Sequence, residues 1–199
     1  MGRSRGLEPP TPGTTNQCSN QLSYDRHGNA SKTTLSCGFL RRWRHLGSGA
    51  RERKRGQMNP TIDKFGYPAT VIREFEHWII LLRPAQVTLG SLVLAAKSNA
   101  TAYGDVSRDA FLEQSDAVAQ IERALSGFIQ YERINYLMLM MVDPHVHFHV
   151  IPRYRGSREW SGVPFVDSGW PGPPQLGSAV QLNEGQTRAL VTDVGTNFD

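Results

Sequence analysis

Three histidines recur at alternate positions in the stretch Asp143-Pro144-His145-Val146-His147-Phe148-His149-Val150-Ile151-Pro152-Arg153. Side chains alternate across a β-strand, so the three imidazoles would share one face at intervals of roughly 6.5–7 Å, with Val146, Phe148 and Val150 turned toward a core. His77 lies in an apolar run that could reach the same region. The remaining two of the chain's six histidines, His27 and His45, belong to an N-terminal stretch of different character.

Three kinds of chemistry fit this row. A purely structural strand is disfavoured, because burying several imidazoles requires several polar partners and gives no packing gain. A metal site is a second reading: an H-x-H pair can hold zinc or another transition metal from one side, and His77 could add a donor. No further carboxylate or histidine is evident to complete that set, and Asp143 is tied to a turn. The third reading is nucleophilic catalysis. A neutral imidazole with a pKa of about 6.5 can attack phosphorus at neutral pH, while its neighbours hold the developing charge and return a proton to the leaving group.

The elements that must position the row can be read from the flanking chain. His77-Trp78-Ile79-Ile80-Leu81-Leu82 is an apolar run of strand length ended by Arg83-Pro84, and Ser91-Leu92-Val93-Leu94-Ala95-Ala96 follows Gly90. The two predict an antiparallel hairpin joined through residues 84–90. Residues 105–130 predict a helix capped by Asp105 or Ser107, with Phe111, Val118, Ile121, Leu125 and Phe128 as its apolar stripe. Asn135–Val142 reads as a third strand, apolar on both faces and therefore central. The histidine strand follows it. Trp160, Phe165 and Trp170 stud the loop-rich stretch beyond, where aromatics either close over a ligand or plug the end of a core. Asn183 to Val194 predicts a short terminal helix capped by Asn183.

Charge divides the chain. Residues 1–57 hold eleven Lys/Arg and three Asp/Glu, whereas residues 58–199 hold eleven and fifteen. The overall basic balance thus belongs to the first segment and does not mark the rest as a nucleic-acid binder. That segment is poor in apolar residues and is expected to be disordered. It reads as a basic arm for anionic partners, as an over-extended start with the true beginning at Met58, or as a transit peptide; the abrupt onset of pattern after Met58 favours the second. Cys18 and Cys37 also lie there, so the remainder has no disulfide framework or cysteine-ligated metal site. No apolar run of about eighteen residues suits a membrane span. A cytoplasmic location with no membrane partner is the expectation.

His145-Val-His147-Phe-His149-Val-Ile, followed by Pro152-Arg153, resembles the signature of the histidine triad (HIT) family, and the order of hairpin, long helix and two strands over roughly residues 65–155 resembles its α+β core. The resemblance implies an antiparallel sheet with a long helix packed on it, forming a domain at about 58–175 with a C-terminal tail at 176–199. It further implies a homodimeric nucleotide hydrolase or nucleotidyl transferase acting at the α-phosphate of dinucleoside polyphosphates or nucleoside phosphoramidates, with no required cofactor. By position, His147 would be the nucleophile, His149 would serve the α-phosphate or leaving group, and His145 would orient His147. Arg83 would meet the ribose, and Asn135 and Ser91 would contact the ligand. Two departures from the family pattern stand out: Ser91 occupies the position of a common fourth histidine, and Met140-Met141-Val142-Asp143-Pro144 replaces a Gly-rich polar stretch, with Asp143 adding negative charge. These departures motivate a rival reading as a non-catalytic nucleotide-binding regulatory protein. A metal-dependent hydrolase is the remaining alternative.

Overall fold

A computed structural model describes residues 58–198. The expected disorder of residues 1–57 and the alternatives for their origin lie outside the described residues. At the front, Asn59 caps helix α1 (Pro60–Lys64) by accepting from the Ile62 amide, and Pro60 occupies the first turn. Proline is suited there because that turn's amide lacks an intrahelical partner. The Asn59 side-chain amide also donates to the carbonyls of Ala96 and Ser98, fastening the helix to the sheet.

The predicted hairpin is present as β2 (Trp78–Leu82) and β4 (Leu92–Ala96), paired antiparallel with Leu82 opposite Leu92. Strand β1 (Val71–Glu74) flanks β2, and the short β3 (Ala85–Gln86) lies in the connection. Gly90 closes that connection at φ +78°; a Cβ there would press on Leu125 and Ile129. Helix α2 (Arg108–Ile129) starts at Ser107, whose hydroxyl accepts from the Ala110 amide. Its buried stripe is rotated from the expected one: Ala110, Ala117, Ile121, Ala124, Leu125 and Ile129 face the core, and Phe111 is exposed. Small alanines allow a closer approach to the sheet, and the larger Val118 and Phe128 pack at the margin.

Strands β5 (Arg133–Leu137) and β6 (His147–Arg153) complete a five-stranded antiparallel sheet in the order β1-β2-β4-β6-β5. The strand before the histidines is an edge strand ending at Leu137, not a central one reaching Val142. Met138, Leu139, Met141 and Val142 form an exposed connection instead, with Met141 90% exposed. Apolar composition alone does not separate a buried strand from an apolar surface loop.

The chain beyond the histidine strand is more structured than loops and a tail. Strands β7 (Ser157–Trp160) and β8 (Val163–Val166) form a hairpin, β9 (Val180–Gln181) pairs with β3, and α3 (Glu184–Gly195) begins with a capping box between Asn183 and Gln186. Leu190, Val194 and Phe198 enter the same core as α2, so residues 176–198 belong to the domain. Phe165 is buried in that core, and Trp160 donates its indole N–H to Asp193 of α3 at 2.8 Å. Among the described residues no helix is long and apolar enough to cross a membrane.

The two faces of the sheet have different fillings. Trp78, Ile80, Leu82, Leu92, Leu94 and Val150 meet α2 and α3 in the larger core. Ile79, Leu81, Val93 and Ala95 form a smaller cluster with Ile62 of α1, joined by Phe65 and Tyr67. Since Ala95 stands opposite His147 and Val93 opposite His149, both imidazoles lie on this second face, away from α2.

Candidate active site

Register places the candidate residues in rows across the histidine face. His147 shares a row with Ala95 and Ile79, and His149 shares the next with Val93, Leu81 and Leu137. One step further along β6 stands Ile151, opposite Asn135, and the same row continues through Ser91 to Arg83, whose amide donates to the Ser91 carbonyl at 3.0 Å. Thus Arg83 and Asn135 are brought to two sides of one row adjacent to His149. His77 is not brought in: its carbonyl accepts from Lys97, and β4 separates its strand from β6. Two strand spacings put it roughly 10 Å away laterally.

His145 precedes β6, and its Nδ1 lies 2.9 Å from the Thr61 hydroxyl of α1. His147 is fully buried, with its Nδ1 2.7 Å from the His145 carbonyl oxygen. A carbonyl can only accept, so Nδ1 of His147 carries the proton and Nε2 carries the lone pair. Nε2 has no hydrogen-bond partner, nor has Nδ1 of His149. The two rings meet edge to face with centroids 5.1 Å apart. Phe65, just beyond α1, covers both, at 5.4 Å from His147 and 5.6 Å from His149. Burial, the neighbouring His147 and the Arg83 charge together push the His149 pKa down to about 4, against a smaller opposing pull from Asp143. His149 is therefore neutral at pH 7 before an anion binds, and the charge of a bound phosphate would favour its protonation.

Arg83 lies in the same electrostatic neighbourhood. One guanidinium arm donates to the Ala85 carbonyl, while Nε is buried without a partner. Burial lowers its pKa, so its charge is incompletely solvated. Ser91 is placed differently. It is fully buried, its hydroxyl donates to the Thr88 carbonyl at 2.7 Å and accepts from the Thr88 amide, and its own amide donates to Gln86. Its polar groups are committed to closing the turn before β4. Asp143 pairs with Lys64 at 2.6 Å, so the negative charge it adds beside the histidine strand has a local counter-charge.

Several contributors were not legible from the triad. Thr61, Lys64 and Phe65 come from α1 and its end, for which Asn59-Pro60 was the available signal of a helix start. Arg153, at the end of the histidine strand, is 4% exposed and binds Asp167 in two contacts, Nε to Oδ2 at 2.6 Å and the guanidinium to Oδ1 at 3.0 Å. It also donates to Asn135 Oδ1 at 2.9 Å and to the Gly172 carbonyl at 3.0 Å. That hub holds the 167–174 segment against the histidine face and fixes the Asn135 oxygen. Trp170 lines an open pocket there with Asn135 and Leu137. Among the described residues no group of three or more His, Cys, Asp or Glu side chains is arranged to hold a metal ion.

No family model and no curated protein matches the chain. Solved structures do. A histidine triad protein from Bradyrhizobium japonicum superposes with a TM-score of 0.56 at 14% identity, covering 72% of this chain and 98% of that one. A histidine triad (HIT) protein from Sinorhizobium meliloti superposes with a TM-score of 0.56 at 18% identity, covering 71% and 96%. At such identities the likeness concerns architecture, and it agrees with the antiparallel sheet and the helices: the chain has the α+β fold of the histidine triad proteins.

Proposed function

We propose that this chain is a HIT-type nucleotide hydrolase or nucleotidyl transferase acting at the α-phosphorus of nucleotide conjugates, with dinucleoside polyphosphates and nucleoside phosphoramidates as substrate classes. The observation that carries this reading is the 2.7 Å contact of His147 Nδ1 with the His145 carbonyl oxygen. The Nδ1–H of His147 is held there, leaving the Nε2 lone pair unpartnered beside His149. Nε2 attacks phosphorus and forms a P–N bond while the bond from phosphorus to the leaving group breaks. The leaving group departs with that electron pair and takes a proton from His149. Water then attacks phosphorus as His149 takes its proton back from that water, the P–N bond breaks with its electron pair returning to Nε2 of His147, and the nucleoside monophosphate is released; an acceptor alcohol or amine in place of water makes the step a transfer.

His145 positions His147 through its carbonyl and is itself held by Thr61. Arg83, with a buried unpartnered Nε, offers positive charge to the sugar–phosphate part, and Asn135 supplies polar contact on the other side of Ile151. Fastened in its turn, Ser91 shapes the site indirectly. The uncovered edge of β5 and the exposed apolar Met138–Val142 connection support a homodimer, which sedimentation analysis of the full chain would test. A cytoplasmic location is part of the same reading.

The second reading, a non-catalytic nucleotide-binding protein, is favoured by the commitment of Ser91 and by the apolar Met138–Val142 stretch, which lacks phosphate-binding side chains. Activity on adenosine polyphosphates and phosphoramidates decides between them. The proposal expects turnover in the presence of chelator and loss of on the order of 10⁴-fold or more in His147→Ala. Equal turnover by wild type and His147→Ala would rule out the covalent route.

A further inference from the structure

Beside the triad lies a pocket of about 440 Å³ lined by Arg133, Asn135, Leu137, Arg153 and the Trp170–Pro174 segment. Arg133, Asn135 and Leu137 pair with Arg153, Ile151 and His149, so its floor is on the histidine face and begins at the residue opposite His149. Its far wall comes from chain beyond the stretch that resembles the HIT core. We infer that this pocket is a second subsite, which takes the leaving group of the conjugate and selects one bearing a flat ring and negative charge. The inference rests on the proposed chemistry at His147 for which end of the substrate it holds, but not for its existence.

Direction follows from the row geometry. In phosphoryl transfer the attacking and leaving atoms lie roughly in line. His147 attacks from one side of His149 along β6, and the pocket opens on the other, two residues on at Ile151 and across to Asn135. Spacing along a strand makes that step roughly 7 Å, compatible with a phosphate at the histidines and the departing group in the pocket. Chemistry of the lining gives the class. Trp170 with Pro171, Pro173 and Pro174 presents flat and apolar surface suited to a planar ring. Arg133 and Asn135 bring a guanidinium and an amide, and no acidic side chain is among the lining residues. The Asn135 oxygen is already taken by Arg153, so its NH₂ is the group left to offer a ligand.

The wall is built to stay in place. Arg153 bridges from the floor to Asp167 and to the Gly172 carbonyl, each at 3.0 Å or less. At Gly169 an added Cβ would come within 2.3 Å of the Pro173 carbonyl oxygen, so the segment folds back on itself more tightly than another residue would permit. Such a fixed aromatic wall lowers the ordering cost of binding.

The test compares two probes, diadenosine tetraphosphate and AMP, by calorimetric titration of the full chain carrying His147→Ala, which prevents turnover. The subsite predicts that the dinucleotide binds about tenfold or more tighter than AMP, the effect expected of one stacked base. Adding Trp170→Ala should collapse that gap to about twofold, whereas Trp170→Phe, which keeps a ring, should retain most of it. No gap in the protein with Trp170 intact, or a gap that survives Trp170→Ala in chain shown to be folded by circular dichroism, overturns the subsite. Acid-quenched wild type separates the two ideas: a gap without nucleotide on His147 leaves the subsite standing and sinks the nucleotidyl-histidine reading, and nucleotide on His147 without a gap does the reverse.

Discussion

The two faces of the five-stranded sheet use the same strands for different ends. On the helix side, Leu94 and Phe148 stand opposite each other and join an apolar core closed by α2 and α3. One residue along, Ala95 and His147 point the other way, under α1 and Phe65. The first face is closed chiefly by apolar contact area, with a few polar ties to α2, where Trp78 donates its indole N–H to the Ala110 carbonyl at 2.6 Å and its amide to Glu113. The second is covered by short elements fastened through polar contacts: Asn59 to Ala96, Thr61 to His145, Lys64 to Asp143, and Arg153 to Asp167. It also keeps unpartnered nitrogens on His147, His149 and Arg83. Unsatisfied buried donors and acceptors are costly, and the helix-side core supplies the stability against which they can be kept. Alternation along a strand thus lets one sequence build an apolar support and a histidine-bearing polar surface within the thickness of a single sheet.

Breaking each face should produce distinct signatures. The largest stability effect is expected at the polar fastening. Arg153→Met leaves the Asp167 carboxylate buried and unpaired, at a cost of about 3–5 kcal/mol, while the double change Arg153→Met with Asp167→Leu should recover much of that loss. Urea denaturation measures both, and hydrogen exchange should show the 167–174 segment losing protection in the single variant. On the opposite face, Leu94→Ala should cost about 2–5 kcal/mol through lost burial and a residual cavity, without altering the pH dependence of stability.

Protonation of His149 separates the two faces further. The folded His149 pKa is depressed to about 4, below its unfolded value of about 6.5. Between those values the unfolded chain binds a proton that the folded chain does not. Stability contributed by the neutral imidazole is therefore complete above about pH 6.5 and is lost as pH falls toward 4, by about 1–2 kcal/mol once solvent screening of the partly exposed ring is allowed for. Thermal melts from pH 7 to 4.5 should show this loss, and His149→Gln should remove its share of the slope. A variant that keeps the full slope would place the titrating group elsewhere.

Local period made much of this frame legible. The hairpin from His77 to Ala96, the long helix and the histidine strand each carry a repeat that matches their geometry. Met138–Val142 misled because its apolar residues form an exposed connection, and nothing in their order distinguishes that from a buried strand. Helix α2 kept its position but turned its face, since alanines at 110, 117 and 124 carry the close contact that larger residues were expected to make. Residues 157–198 were harder still. Their burial depends on α3 reaching back to the core and on β9 pairing with β3, contacts between positions far apart in the chain. At the site, spacing placed His147 and His149 on one face, but Phe65, Thr61 and the Arg153–Asp167 pair emerge only when separate segments meet. Ser91 shows the converse: a residue marked by its motif position whose hydroxyl is spent on its own turn.

The central claim is that Nε2 of His147, freed by the hydrogen bond of Nδ1 to the His145 carbonyl, forms a bond to phosphorus. The most direct measurement is mass spectrometry of the full chain, quenched in acid within the first turnovers of diadenosine tetraphosphate or an adenosine phosphoramidate. The account predicts one added adenylyl group, mapped to His147 and missing from His147→Gln. Turnover with no adduct at any quench time, or an adduct mapped to His149 or His145, would contradict it.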